Sequence, residues 1–122
     1  SMLDNIPTHI MLSDINFTIT YVNPKSLETL KTIEKLLPCK AHEVQGSSID
    51  IFHKAPSHQR NLLMNPKNLP HRAKIKLGEE TLDLFVSGVF DSKGTYQGAM
   101  VTWEVSTEKF RAFTKVTAEL KE

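Results

Sequence analysis

After Pro70 the chain changes period. Ala73, Ile75 and Leu77 alternate with Arg72, Lys74 and Lys76. Leu82, Leu84, Val86 and Gly88 alternate with Asp83, Phe85, Ser87 and Val89, and Ala99, Val101, Trp103 and Val105 alternate with Met100, Thr102 and Glu104. A spacing of two puts each apolar set on one face of an extended strand. The separators, Gly78-Glu79-Glu80 and Asp91-Ser92-Lys93-Gly94, are turns rather than crossovers. Parallel neighbours need a connection of about a dozen residues or more, so these three strands pair antiparallel. Their shared apolar face has to be covered by whatever precedes or follows them.

The first seventy residues provide the cover. His9-Ile10-Met11-Leu12-Ser13-Asp14 reads as a strand, and Thr18-Ile19-Thr20-Tyr21-Val22, rich in β-branched residues, as its hairpin partner across Asp14-Ile15-Asn16. A short helical lead-in over residues 3 to 8 comes before them. Asn23-Pro24 is a helix start, with Asn as N-cap and Pro at the first helical position, where its missing N–H costs nothing. Leu27, Leu30, Ile33 and Leu37 form the apolar stripe, and Pro38 ends the helix. Residues 39 to 48 read as a loop with at most one helical turn. Ile49 to His53 read as a single turn cut off by Pro56, and Ser57 as the N-cap of a helix through Leu62, Leu63 and Met64, broken by Asn65-Pro66. Ser106-Thr107-Glu108 opens a last helix over 106–122, whose Phe110, Phe113, Val116 and Leu120 share a face and call for a partner, such as a second copy of the chain.

At 122 residues the chain has length for one core, so residues 3–122 form a single domain; Ser1-Met2 reads as a remnant of expression. Fifteen basic against fourteen acidic side chains leave a formal charge of +1, which provides no electrostatic case for nucleic acid or an anionic membrane surface. Cys39 is the only cysteine, which excludes an internal disulfide and suits a reducing, cytoplasmic compartment. No apolar run is long enough to span a bilayer. The chain has no phosphate loop, nucleophile elbow or paired-carboxylate arrangement, which argues against an enzyme. Function is then expected in a pocket or an interface.

Two residues stand out for a pocket. His53 lies on the proline-interrupted stretch Ile51-Phe52-His53-Lys54-Ala55-Pro56, and Trp103, the single tryptophan, lies on the last strand with its side chain in the inward phase. A neutral imidazole can ligate a metal, whereas indole N–H donates a hydrogen bond and cannot ligate. The plain structural alternatives are a helix-capping or solvent-facing histidine and a core tryptophan. His58 is five residues from His53 and so off its face of a continuous helix; it is expected to border the pocket. Cys39, His42, His53 and His58 match no closed zinc spacing. His9, His42 and His71 read as surface or turn residues.

The order of two strands, short helices, three strands and a terminal helix resembles the PAS fold. That is an α+β class with a five-stranded antiparallel sheet, short helices over one face and a C-terminal signalling helix. The segments Ile49-Asp50-Ile51-Phe52-His53-Lys54, Pro56, His58-Gln59-Arg60 and Leu62-Leu63, with Leu84 and Val101-Thr102-Trp103, are similar to the PAS domains of bacterial methyl-accepting chemotaxis proteins. They resemble in particular the soluble aerotaxis-type receptors, whose PAS domain carries b-type haem and senses dioxygen. The resemblance implies His53 as axial ligand of the haem iron, Trp103 as hydrogen-bond donor to the bound gas and Leu84 beside it. Val86 and Val101 would line the haem pocket, with His58, Lys54, Arg60 or Arg72 near the propionates. Gly88 and Ala99 would leave room for the ring. It also implies a homodimer through the C-terminal helix and relay to a chemoreceptor output domain. The alternative is a haem-free PAS module serving dimerisation, signal relay or another small ligand.

Overall fold

The computed structural model describes residues 2–107. Five strands form one antiparallel sheet: β1 (His9–Asp14), β2 (Ile19–Val22), β3 (His71–Leu77), β4 (Glu80–Phe90) and β5 (Tyr96–Val105). Their spatial order is β2-β1-β5-β4-β3, so the β1–β2 hairpin and the three-stranded β3-β4-β5 meander meet where β1 pairs with the central strand β5. This is the five-stranded α+β arrangement that the resemblance implied. The expected C-terminal helix is reached only at Thr107, and the remainder of 106–122 lies outside the described residues.

Register decides which side chains share a face. Trp103 sits opposite both His9 on β1 and Leu84 on β4, and Val101 sits opposite Met11 and Val86. On the outer pair His71 faces Val86 and Ala73 faces Leu84. Directly opposed residues project to one side, so the alternating apolar sets of three strands form a continuous surface. At the β1–β5 contact Gly98 has φ 141°, and a Cβ there would lie 2.0 Å from the Ser13 carbonyl oxygen. Only glycine permits that approach.

The helical segments pack on this face. Helix α1 (Pro24–Thr32) begins as its sequence indicates: Asn23 Oδ1 accepts from Ser26 N–H at 3.0 Å and Pro24 occupies the first turn. It stops at Thr32, short of Pro38. Ile33 N–H bonds Leu30 C=O, a tighter pairing that passes the chain into a 3₁₀ turn at Glu34–Leu36. A single turn at Ala41–Glu43 and another at Ile49–Phe52 follow. Helix α2 (Pro56–Met64) starts two residues earlier than the sequence suggests. Pro56 takes the first helical position, Ala55 is the N-cap, and Ser57 therefore lies inside the helix. Leu30, Val44 and Ile19 close the core beneath the sheet; each apolar side chain so enclosed contributes about 1.5–3 kcal/mol.

Candidate functional site

Between the sheet and the α2 side of the helical layer lies a cavity of about 120 Å³, walled mainly by carbon. The sheet supplies Leu84, Val86, Val101 and Trp103 to it, and the helical layer supplies Phe52, His53 and Leu63. Four positions expected on the sheet side and His53, one of the two expected histidines, thus line a single cavity.

His53 reaches that wall because of how its segment is built. Ser48 Oγ caps the Ile49–Phe52 turn by accepting from Asp50 N–H at 3.1 Å, and His53 closes it, its N–H bonding Asp50 C=O at 3.2 Å. The chain then leaves extended at φ −130°, ψ 136° before Pro56 starts α2. Burial against the apolar wall lowers the His53 pKa, with the nearby Asp50 carboxylate opposing it, so the ring is neutral at neutral pH. Its side chain makes no hydrogen bond among the described residues. A neutral, half-buried imidazole with an uncommitted nitrogen on an apolar cavity has the chemistry of a metal ligand.

The other basic residues of this region stand elsewhere. Arg60 grips Asp50 through Nη2 at 2.6 Å and Nε at 3.0 Å and lies over the Phe17 ring at 4.9 Å. The Arg60 guanidinium lowers the Asp50 pKa and so favours its ionised form, and the contact ties α2 to the turn that carries His53. Arg72 lies over Phe85 on the outer face of the sheet, and Lys54 is exposed. His58 is exposed on α2 and does not line the cavity; its neighbour Gln59 does. The room foreseen at Gly88 is filled, since a Cβ there would come within 3.0 Å of the Phe90 ring and 3.6 Å of Tyr96.

Two histidines read as surface or turn residues belong to the site instead. His71 opens β3 on the cavity face and lines the wall. His9 stacks on the Trp103 indole, ring centroids 4.4 Å apart. Both lie in the inward phase of their strands, and that phase was the one available signal. The partners themselves are set by strand pairing across long stretches of chain. Trp103 is buried, and its Nε1–H donates to Ser26 Oγ at 3.0 Å. Past Trp103, β5 ends in a clamp on Thr81 of β4: Ser106 N–H donates to Thr81 C=O at 2.8 Å, and Thr81 N–H donates to Thr107 Oγ1 at 2.6 Å.

The donor set fits a haem. One neutral imidazole faces an apolar cavity, opposite a wall that carries an indole N–H donor. The cavity of about 120 Å³ is smaller than the roughly 300–1,000 Å³ of a typical cofactor pocket, so a porphyrin would need the helical wall to open. None of the nine residues of α2 is buried, and the helix is held by the Arg60–Asp50 contact and by the Tyr96 hydroxyl, which donates to the Leu63 carbonyl at 2.8 Å. Among the described residues, no three His, Cys, Asp or Glu side chains gather as a metal cluster, and no helix is long and apolar enough to cross a membrane.

No family model matches the chain. It is 37% identical to the methyl-accepting chemotaxis protein McpB of Pseudomonas aeruginosa over 96% of its own length, and it spans 18% of that relative. Among solved structures, it is similar to the Aer2 receptor of Vibrio cholerae, a dual PAS-haem oxygen sensor. The identity is 37%, with 80% of this chain and 93% of that one covered, at a TM-score of 0.76. The PAS domain of Bordetella pertussis BvgS shares the fold at 16% identity and a TM-score of 0.63, over 98% of this chain and 92% of that one.

Proposed function

Since the chain belongs to the PAS sensor domains of bacterial methyl-accepting chemotaxis receptors, we propose that it binds b-type haem through His53 and senses a diatomic gas, dioxygen first. The observation that carries this reading is the His53 imidazole, neutral and uncommitted, in the wall of an apolar cavity faced by Trp103. The haem supplies an iron at which a gas is held. The protein supplies the rest. His53 holds the group, and the apolar walls of Leu84, Val86 and Val101 exclude water. The Trp103 N–H donates to a ligand that gathers negative charge, without competing to be a ligand itself.

That donation requires the indole to leave Ser26. Because Trp103 lies on the strand that ends in the Thr81 clamp, its reorientation moves the chain's exit toward the output domain. Two indole positions with different affinities for the gas are the bistable element a sensor needs. The output is a chemoreceptor signalling module in the cytoplasm, and the domain works as a homodimer, with no catalytic role of its own. The test is reconstitution with haem: a Soret band that shifts on addition of carbon monoxide is expected.

The haem-free alternative draws on the size of the cavity and on the satisfied Trp103 N–H, both of which suit a structural core or a small apolar ligand. Failure of the protein to take up haem would favour it.

A further inference from the structure

Trp103 has a single side-chain donor, and it is engaged inside the protein. Ser26 Oγ, which accepts it at 3.0 Å, is fully buried and donates its own hydrogen bond to the Ile10 carbonyl at 3.1 Å. The ring is also held from its face. His9 stacks on it with a 25° tilt, and His9 Nδ1–H donates to the Trp103 carbonyl at 2.9 Å while Nε2 accepts from the Thr29 hydroxyl at 2.7 Å. A carbonyl can only accept, so Nδ1 carries the proton.

We propose that Ser26 is a specificity-determining residue of the gas site, competing with the ligand for the one indole proton. The proposal rests on the haem reading given above. A ligand gains from Trp103 only what exceeds the bond to Ser26. Dioxygen, which accumulates negative charge when held by a metal, passes that threshold, and carbon monoxide, a weak acceptor, gains little. Ser26 thus lowers dioxygen retention and leaves carbon monoxide nearly untouched. Without the Ser26 hydroxyl, the resting indole N–H is a buried orphan and turns more readily to the ligand.

The variant is Ser26→Ala, an alanine in the first turn of a helix and so compatible with folding. In the protein without added haem, the single indole cross-peak of a ¹H–¹⁵N spectrum is expected to move upfield, and in Ser26→Thr, which keeps the hydroxyl, to stay. In the haem-loaded protein, Ser26→Ala is expected to lose dioxygen about three- to tenfold more slowly, with carbon monoxide loss changed less than about twofold. An unmoved indole resonance would overturn the proposal at its first step. A moved resonance with an unchanged dioxygen rate would overturn it while leaving haem sensing intact. Absence of a Soret band in both proteins would remove the haem reading and the proposal together.

Discussion

Asn23→Ala tests how the helical layer is tied to the sheet. Asn23 is fully buried, and its side chain serves three partners. Oδ1 accepts from Ser26 N–H and from Ile10 N–H, each at 3.0 Å, and Nδ2 donates to the Thr8 carbonyl at 2.8 Å. Truncation removes the helix cap, which costs about 1 kcal/mol. It also strands the N–H of Ile10, a residue 4% exposed, at a cost of about 1–3 kcal/mol. Thr8 is exposed, so water can replace its lost donor. The sum is about 3 kcal/mol, and with a urea m-value of about 1.5 kcal/mol/M the unfolding midpoint falls by about 2 M. Asn23→Ser separates the two contributions, because serine caps the helix but is too short to serve Ile10 as well. It should recover about 1 kcal/mol. A loss below about 1 kcal/mol for Asn23→Ala would refute the reasoning.

Two further outcomes follow from the geometry. Gly98→Ala combines a φ of 141° with a clash against the Ser13 carbonyl and should cost more than about 3 kcal/mol, whereas Gly94→Ala, with φ 82° and open space around it, should cost only about 1–2 kcal/mol; equal losses in thermal or urea unfolding would contradict the register at β1–β5. The His53 pKa is lowered in the folded protein from its ordinary value of 6.5, so just below that pH the unfolded chain binds more protons and stability falls as pH drops. Urea midpoints measured from pH 7 to 5 should show this slope in the wild type and a flatter one in His53→Phe, and identical slopes would place His53 outside the apolar wall.

Much of this architecture is visible in the chain itself, because strand alternation and N-capping act over a few residues. The inward phases of Leu84, Val86, Val101 and Trp103, the Asn23-Pro24 helix start and the short turn ending at His53 all rest on local chemistry. What the sequence concealed is non-local. Ser26 meets Trp103 across 77 residues and His9 meets it through strand pairing, so no spacing rule connects them. Nothing near Arg60 in the sequence points to Asp50, ten residues away, and the pairing forms because the turn at Ile49–Phe52 brings the two together. His58 and Gln59 are adjacent, and it is the packing of α2 on the sheet, a non-local matter, that turns Gln59 to the cavity and leaves His58 exposed.

The most direct test of haem sensing is the absorption spectrum of His53→Ala beside the wild type, both reconstituted with haem and then exposed to carbon monoxide. The wild type should show a Soret band that shifts with the gas, and the variant should lose it. The same band and the same shift in His53→Ala would contradict the assignment of His53 as the ligand.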